Sequence, residues 1–143
     1  MTDRPDLAAM LQPLSRALVD AERPVLDEHG LTMWAYIVLL HLDDHPTRTQ
    51  AALAESIRAD KTRIITVLDD LQDRGLIARE PDPADRRARL LSLTPAGRAL
   101  RDRTQAAIQR KEERLLARLP AHARQGFLDA LRVLSALPRD EII

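Results

Sequence analysis

The chain has 143 residues with 22 basic and 22 acidic side chains, and it contains no cysteine. That length suits one compact domain with a real core and is short for two independent ones. Zero formal charge excludes a uniform basic coat, so a polyanion site must come from local segregation of charge; the missing thiols exclude disulfide scaffolds, thiol catalysis and cysteine-based oxidant sensing.

The opening "MTDRPDL" offers acid and proline where a signal peptide needs a basic flank before an apolar run. The longest apolar stretch, "MWAYIVLLHL", is too short to cross a bilayer. A cytoplasmic protein without membrane contact is expected.

Leu7, Leu11, Leu14, Leu18, Ala21 and Val25 alternate steps of four and three, the mark of one apolar helical seam. Pro13 and Pro24 lie inside it and predict kinks. Gly30 supplies a stop, and Thr32 caps a second helix predicted over Met33–Asp44, apolar nearly all round and therefore central. Thr49 caps a short helix reaching Ile57. After the break "RAD", Asp60 caps another helix reaching Gln72, with Ile64, Val67, Leu68 and Leu71 as its buried stripe. Two short helices joined by so tight a turn form a helix-turn-helix.

Gly75 ends that unit. Two strand-like runs follow, Leu76–Arg79 and Arg89–Leu93, around a tip crowded with proline, aspartate and arginine. Thr94-Pro95 begins a long helix to about Arg118, threonine as cap and proline in the first helical position. Pro120 breaks it, and a last helix over 121–137 presents Phe127, Leu128, Leu131 and Leu134. The fold class is mainly α (α+β): a winged helix-turn-helix over 32–97, a connecting helix over 95–118, and flanking helices over 1–31 and 119–143.

The segment "LAESIRADKTRIITVLDDLQDRGLIAREPDPADRRARLLSLTPAG" resembles the MarR family of bacterial transcriptional regulators. Four parts occur in order: the helix-turn-helix, "LQDRGLI", "DPADRR" and "LSLTPAG". "HGLTMWAYIVLLHL" is similar to the family's second helix. The resemblance implies a homodimer whose terminal helices interlock, with Leu7, Leu11, Leu14, Leu18, Phe127, Leu131 and Leu134 at the interface. It also implies one helix per lobe in the DNA major groove, a wing in the neighbouring minor groove, and repression relieved by a small, often aromatic, organic effector.

The expected DNA face combines Arg48, Thr49, the first helical turn Lys61, Thr62 and Arg63, then Ile65 and Thr66, and the wing residues Asp85, Arg86, Arg87 and Arg89. A helix N-terminus turns donors toward phosphate, and Ile65 suits a thymine methyl. A narrow minor groove is strongly negative and fits an arginine on a thin hairpin. In the family's Asp-x-Arg pattern, the aspartate (here Asp85) holds the inserted arginine (here Arg87). Many relatives carry threonine-arginine where this chain has Ile65-Thr66, which removes one basic contact. Asp69, Asp70 and Asp73 are expected to face solvent, away from phosphates.

Trp34 and His41 are the candidate effector contacts; ordinary packing is the competing reading for both. His41 and His45 sit four apart beside Asp43 and Asp44, a spacing that suits a metal-responsive regulator. No further anchored ligand supports one, and neither a metal nor a cofactor is expected. No glycine-rich phosphate loop or nucleophile–base motif points to an enzyme. A winged helix used only for protein contacts is the other alternative, but it has no need of Asp85-Arg86-Arg87 beside a basic first turn.

Overall fold

The computed structural model describes residues 3–143. In chain order it contains α1 (Leu7–Glu28), α2 (Met33–His41), β1 (Arg48–Thr49), α3 (Gln50–Ile57), α4 (Lys61–Asp73), β2 (Ile77–Asp82), β3 (Asp85–Leu93), α5 (Pro95–Leu116) and α6 (Ala121–Ser135), then a 3-10 turn at Arg139–Glu141. The chain is mainly α with a winged helix-turn-helix. It divides into two compact units, one ending at Ile108 and the other spanning Gln109–Ile143.

Local chemistry sets the element ends of the first unit. Thr32 accepts a hydrogen bond from the Ala35 amide at 3.1 Å, and Thr49 accepts from Ala52 at 3.1 Å. Asp60 accepts from Thr62 at 3.2 Å. Each cap satisfies one of the orphan donors that begin a helix.

The motifs "LQDRGLI" and "LSLTPAG" are two halves of one joint. Gly75 takes the left-handed conformation (φ +71°), which lets the Leu76 amide return to the Leu71 carbonyl at 2.9 Å and close α4. The Thr94 hydroxyl then donates to the Gly75 carbonyl at 2.6 Å while accepting from the Gly97 amide at 3.0 Å. At Gly97 a Cβ would lie 1.9 Å from the Leu76 carbonyl oxygen, so only glycine lets α5 start against the root of the wing.

The core of this unit is built from Val25 and Leu26 of α1, Ala35, Tyr36, Val38 and Leu39 of α2, Leu53 of α3, and Ile64, Leu68 and Leu71 of α4, with Leu91 and Leu93 from β3. Burying each large aliphatic side chain contributes about 1.5–3 kcal/mol. The α1 seam reaches this core only at its end: Leu14 and Leu18 are half-buried, whereas Leu7 and Leu11 are 58% and 47% exposed. Pro13 and Pro24 do not interrupt the helix.

Two expectations need correction, and one strand was not foreseen. α2 stops at His41, not Asp44, because Leu42 turns extended (φ −99°, ψ 156°) and buries its side chain. The following Asp43 carbonyl accepts the Leu93 amide at 2.6 Å, Asp44 pairs with Arg98, and His45 precedes a proline, which disfavours helix. The wing strands are longer than Leu76–Arg79 and Arg89–Leu93, running to the turn on both sides. Pro81 is tolerated because the sheet order β1-β3-β2 leaves β2 on an edge, where no amide is required on the outer side. Finally, β1 pairs antiparallel with β3 (Arg48 with Leu91, Thr49 with Leu90), a strand too short to leave a periodic signal.

In the second unit the Arg124 guanidinium of α6 donates two bonds to Glu113, at 2.6 and 2.8 Å. These bonds hold the Glu113 carboxyl below the usual carboxylate range, while burial, with neighbouring Glu113, pushes Glu112 up. Phe127 and Leu128 are half-buried; Leu131 and Leu134 are 39% and 57% exposed.

Candidate nucleic-acid interface

The buried stripe of α4 fixes what its opposite face presents. With Ile64, Leu68 and Leu71 turned inward, the side chains of Lys61, Thr62, Arg63, Ile65 and Thr66 are all exposed. Ile65 retains 45% of its surface in solvent, an isoleucine left off the core on the helix that a helix-turn-helix uses for reading.

The wing meets this face. A cleft of about 420 Å3 is lined by Thr49, Lys61, Ile65, Asp85, Arg87 and Arg89, so six of the residues expected at DNA border one concave surface. Three elements build it: the entry to α3, the first turns of α4, and the outer half of β3. Cationic and apolar groups share the cleft, which suits a sugar-phosphate edge beside a base methyl.

The other expected residues lie elsewhere or are already engaged. Arg48, half-buried on β1, donates to the Ser56 hydroxyl at 3.0 Å. Arg86 is exposed. The Thr66 hydroxyl lies 3.4 Å from the Thr62 carbonyl. Arg63 carries its guanidinium over the Trp34 ring, 5.9 Å from the centroid, within cation–π range.

The wing tip modifies one expectation. The Asp85 carboxylate accepts a hydrogen bond from the Arg87 backbone amide at 3.0 Å, and Asp82 accepts from the Ala84 amide at 2.9 Å. Both are aspartate-driven turns in which a side chain folds the backbone two residues on. In the unbound chain Asp85 thus shapes the peptide that carries Arg87 rather than gripping its guanidinium.

Trp34 is half-buried; His41 is exposed, its Nδ1 2.9 Å from the Ile37 carbonyl oxygen. Because α2 ends at His41, His41 and His45 share no helical face, and the metal-responsive alternative loses the geometry it required. Among the described residues no group of three or more histidine, cysteine or acidic side chains is placed to hold a metal ion. Asp69, Asp70 and Asp73 of α4 are all exposed; Asp69 is taken by Arg79, and Asp70 lies 3.7 Å from Arg74.

Sequence reasoning missed two features. Arg58, in the helix-turn-helix turn, has a left-handed backbone (φ +56°), and nothing in its residue type announces that. Arg79 gathers acceptors from two helices. Its signal was present, since it lies two residues after buried Ile77 and therefore on the same side of β2.

A family model described as the MarR family matches residues 29–88, from the end of α1 to the wing. The HTH-type transcriptional repressor Rv2887 of Mycobacterium tuberculosis is 31% identical over 93% of this chain and 85% of its own. The chain belongs to the MarR family. A regulatory protein for the hcr operon of Thauera aromatica is 33% identical over 76% of this chain, which spans 65% of that relative's length. Solved structures of Rv2887 superpose with TM-scores of 0.76 for its DNA complex (28% identity, 93% of this chain, 100% of that one) and 0.75 for its complex with p-aminosalicylic acid (29% identity, 92% and 100%). This MarR-family chain is a DNA-binding transcription regulator. Among its described residues no helix is long and apolar enough to cross a membrane.

Proposed function

We propose that the protein works as a homodimer that represses transcription from a pseudo-palindromic operator and is released by a small organic effector. In this reading α4 lies in the major groove: Lys61 and Thr62 hold phosphate, Arg63 reads a base edge, Ile65 covers a thymine methyl and Thr66 lines the groove. Arg87 enters the adjacent minor groove on the peptide that Asp85 shapes. Arg86 and Arg89 meet the flanking phosphates, as do Arg48 and Thr49 near the start of α3.

The observation that carries this reading is the shared cleft, in which Lys61 and Ile65 of α4 face Arg87 and Arg89 of the wing. A hairpin used only for solubility has no reason to aim arginines at the edge of a reading helix. The existence of a DNA complex of Rv2887 supports the same assignment.

Exposed apolar groups on α1 (Leu7, Leu11) and on α6 (Leu131, Leu134) support the dimer, each set more apolar than a solvent face requires. A two-fold axis repeating α4 gives half-sites about one helical turn apart. The p-aminosalicylic acid complex of Rv2887 supports an aromatic effector, with Trp34 and His41 on α2 as its proposed contacts.

Fluorescence anisotropy with duplexes selected from a random pool tests the reading. Wild type should bind one selected sequence far more tightly than scrambled duplex, with affinity falling steeply as salt rises. Equal affinity for all sequences would refute it.

A further inference from the structure

Arg79 stands on β2 at the root of the wing, its side chain only 17% exposed. Its guanidinium donates from three nitrogens to three acceptors. Nε reaches Gln72 Oε1 at 2.5 Å, Nη1 reaches Gln50 Oε1 at 3.0 Å, and Nη2 reaches the Asp69 carboxylate. Gln50 is the first residue of α3, while Asp69 and Gln72 lie in the last turns of α4. One planar cation therefore bonds the wing to both helices of the reading unit.

Geometry makes this more than a staple. A guanidinium is rigid and flat, so acceptors on three of its nitrogens are held near one plane, which fixes the roll of β2 against α3 and α4. Arg79 lies four residues before the turn residue Pro83, about 13 Å at ~3.3 Å per residue. A change of about 10° at the root would therefore carry the tip by roughly 2 Å, a shift that a narrow minor groove does not forgive.

We infer that Arg79 is a positioning residue for operator binding: it sets the angle between wing and recognition helix and so aims Arg87, without touching DNA. This rests on the minor-groove reading of Arg87 given above. Gln50, Gln72 and Asp69 are the acceptors through which it acts.

The test is a double-mutant cycle read by fluorescence anisotropy on the selected operator with A·T-rich and G·C-rich flanks, across a salt series, using Arg79→Met, Arg87→Ala and the double variant. Arg79→Met keeps the aliphatic stem and should unfold cooperatively on heating. Its affinity should fall about tenfold, with the preference for A·T flanks lost and the salt slope unchanged. The double variant should bind no more weakly than Arg87→Ala alone, and Arg79→Lys should recover part of the loss. Gln50→Ala/Gln72→Ala, which removes two of the acceptors, should act in the same direction and serves if Arg79→Met fails to fold. If Arg87→Ala is weakened but Arg79→Met binds like wild type, or the two losses simply add, the inference is wrong while the wing reading stands. If Arg87→Ala itself binds like wild type on every flank, both fall together.

Discussion

The guanidinium of Arg63, on the first turn of α4, lies over the ring of Trp34, near the start of α2, at 5.9 Å from its centroid. The contact joins the proposed base-reading residue to the helix proposed to meet the effector. At an exposed site such a stack contributes about 0.5–1 kcal/mol. Trp34 is the only tryptophan of the chain, so its emission reports this contact without interference. Arg63→Ala should shift the emission of the free protein, and adding operator to wild type should move it the same way as Arg63 leaves the ring for a base. Arg63→Ala should also cost roughly 1–3 kcal/mol of binding and relax preference at one position per half-site. A uniform loss across sequences would make Arg63 a phosphate contact instead.

The wing tip separates two roles for one aspartate. Asp85 accepts the Arg87 amide, which an asparagine oxygen can do equally well. Asp85→Asn should therefore bind operator nearly as wild type does, whereas Asp85→Ala should lose about 0.5–1.5 kcal/mol. Arg87→Ala should lose more than either while keeping the wild-type melting temperature, since the tip carries no core. If Asp85→Asn is as weak as Asp85→Ala, the carboxylate charge acts on the Arg87 guanidinium in the complex.

Leu11 is exposed and Leu14 half-buried on α1. Leu11→Glu/Leu14→Glu places two charges on the surface proposed to be covered by a second copy, where burial of unpaired charge is strongly unfavourable. Sedimentation should show wild type at twice the chain mass and the variant at one chain mass, with weaker operator binding. Wild type at one chain mass at micromolar concentration would contradict the dimer.

The helix-turn-helix turn contains a strained residue. Arg58 holds φ +56°, a conformation costing a side chain about 1 kcal/mol and glycine almost nothing. Arg58→Gly should raise unfolding free energy by several tenths of a kcal/mol to about 1 kcal/mol, read by denaturant titration. A drop would mean that the Arg58 side chain makes a stabilising contact exceeding the strain.

Much of this architecture is legible in the chain because its signals are local. Thr32, Thr49, Asp60 and Thr94 announce helix starts through their own side chains, and Ile64, Leu68 and Leu71 announce the buried stripe by spacing. The features that escape depend on partners distant in sequence. β1 exists only because Leu90 and Leu91 lie beside it. The end of α2 at His41 is set by Asp43 and Asp44 meeting Leu93 and Arg98 from far along the chain. Arg79 could be seen to lie on the inner side of its strand, but the three acceptors awaiting it could not. At the candidate site, the pattern identifies the wing arginines, while the bond from Arg87 to Asp85 through its amide emerges only from the folded turn.

Hydroxyl-radical footprinting of the wild-type protein on its selected operator probes two-fold binding with an inserted wing. Two protected segments related by a two-fold axis and about one helical turn apart should appear, each flanked by a protected minor groove that becomes reactive again with Arg87→Ala. A single protected segment without symmetry, or a pattern that Arg87→Ala leaves unchanged, would contradict it.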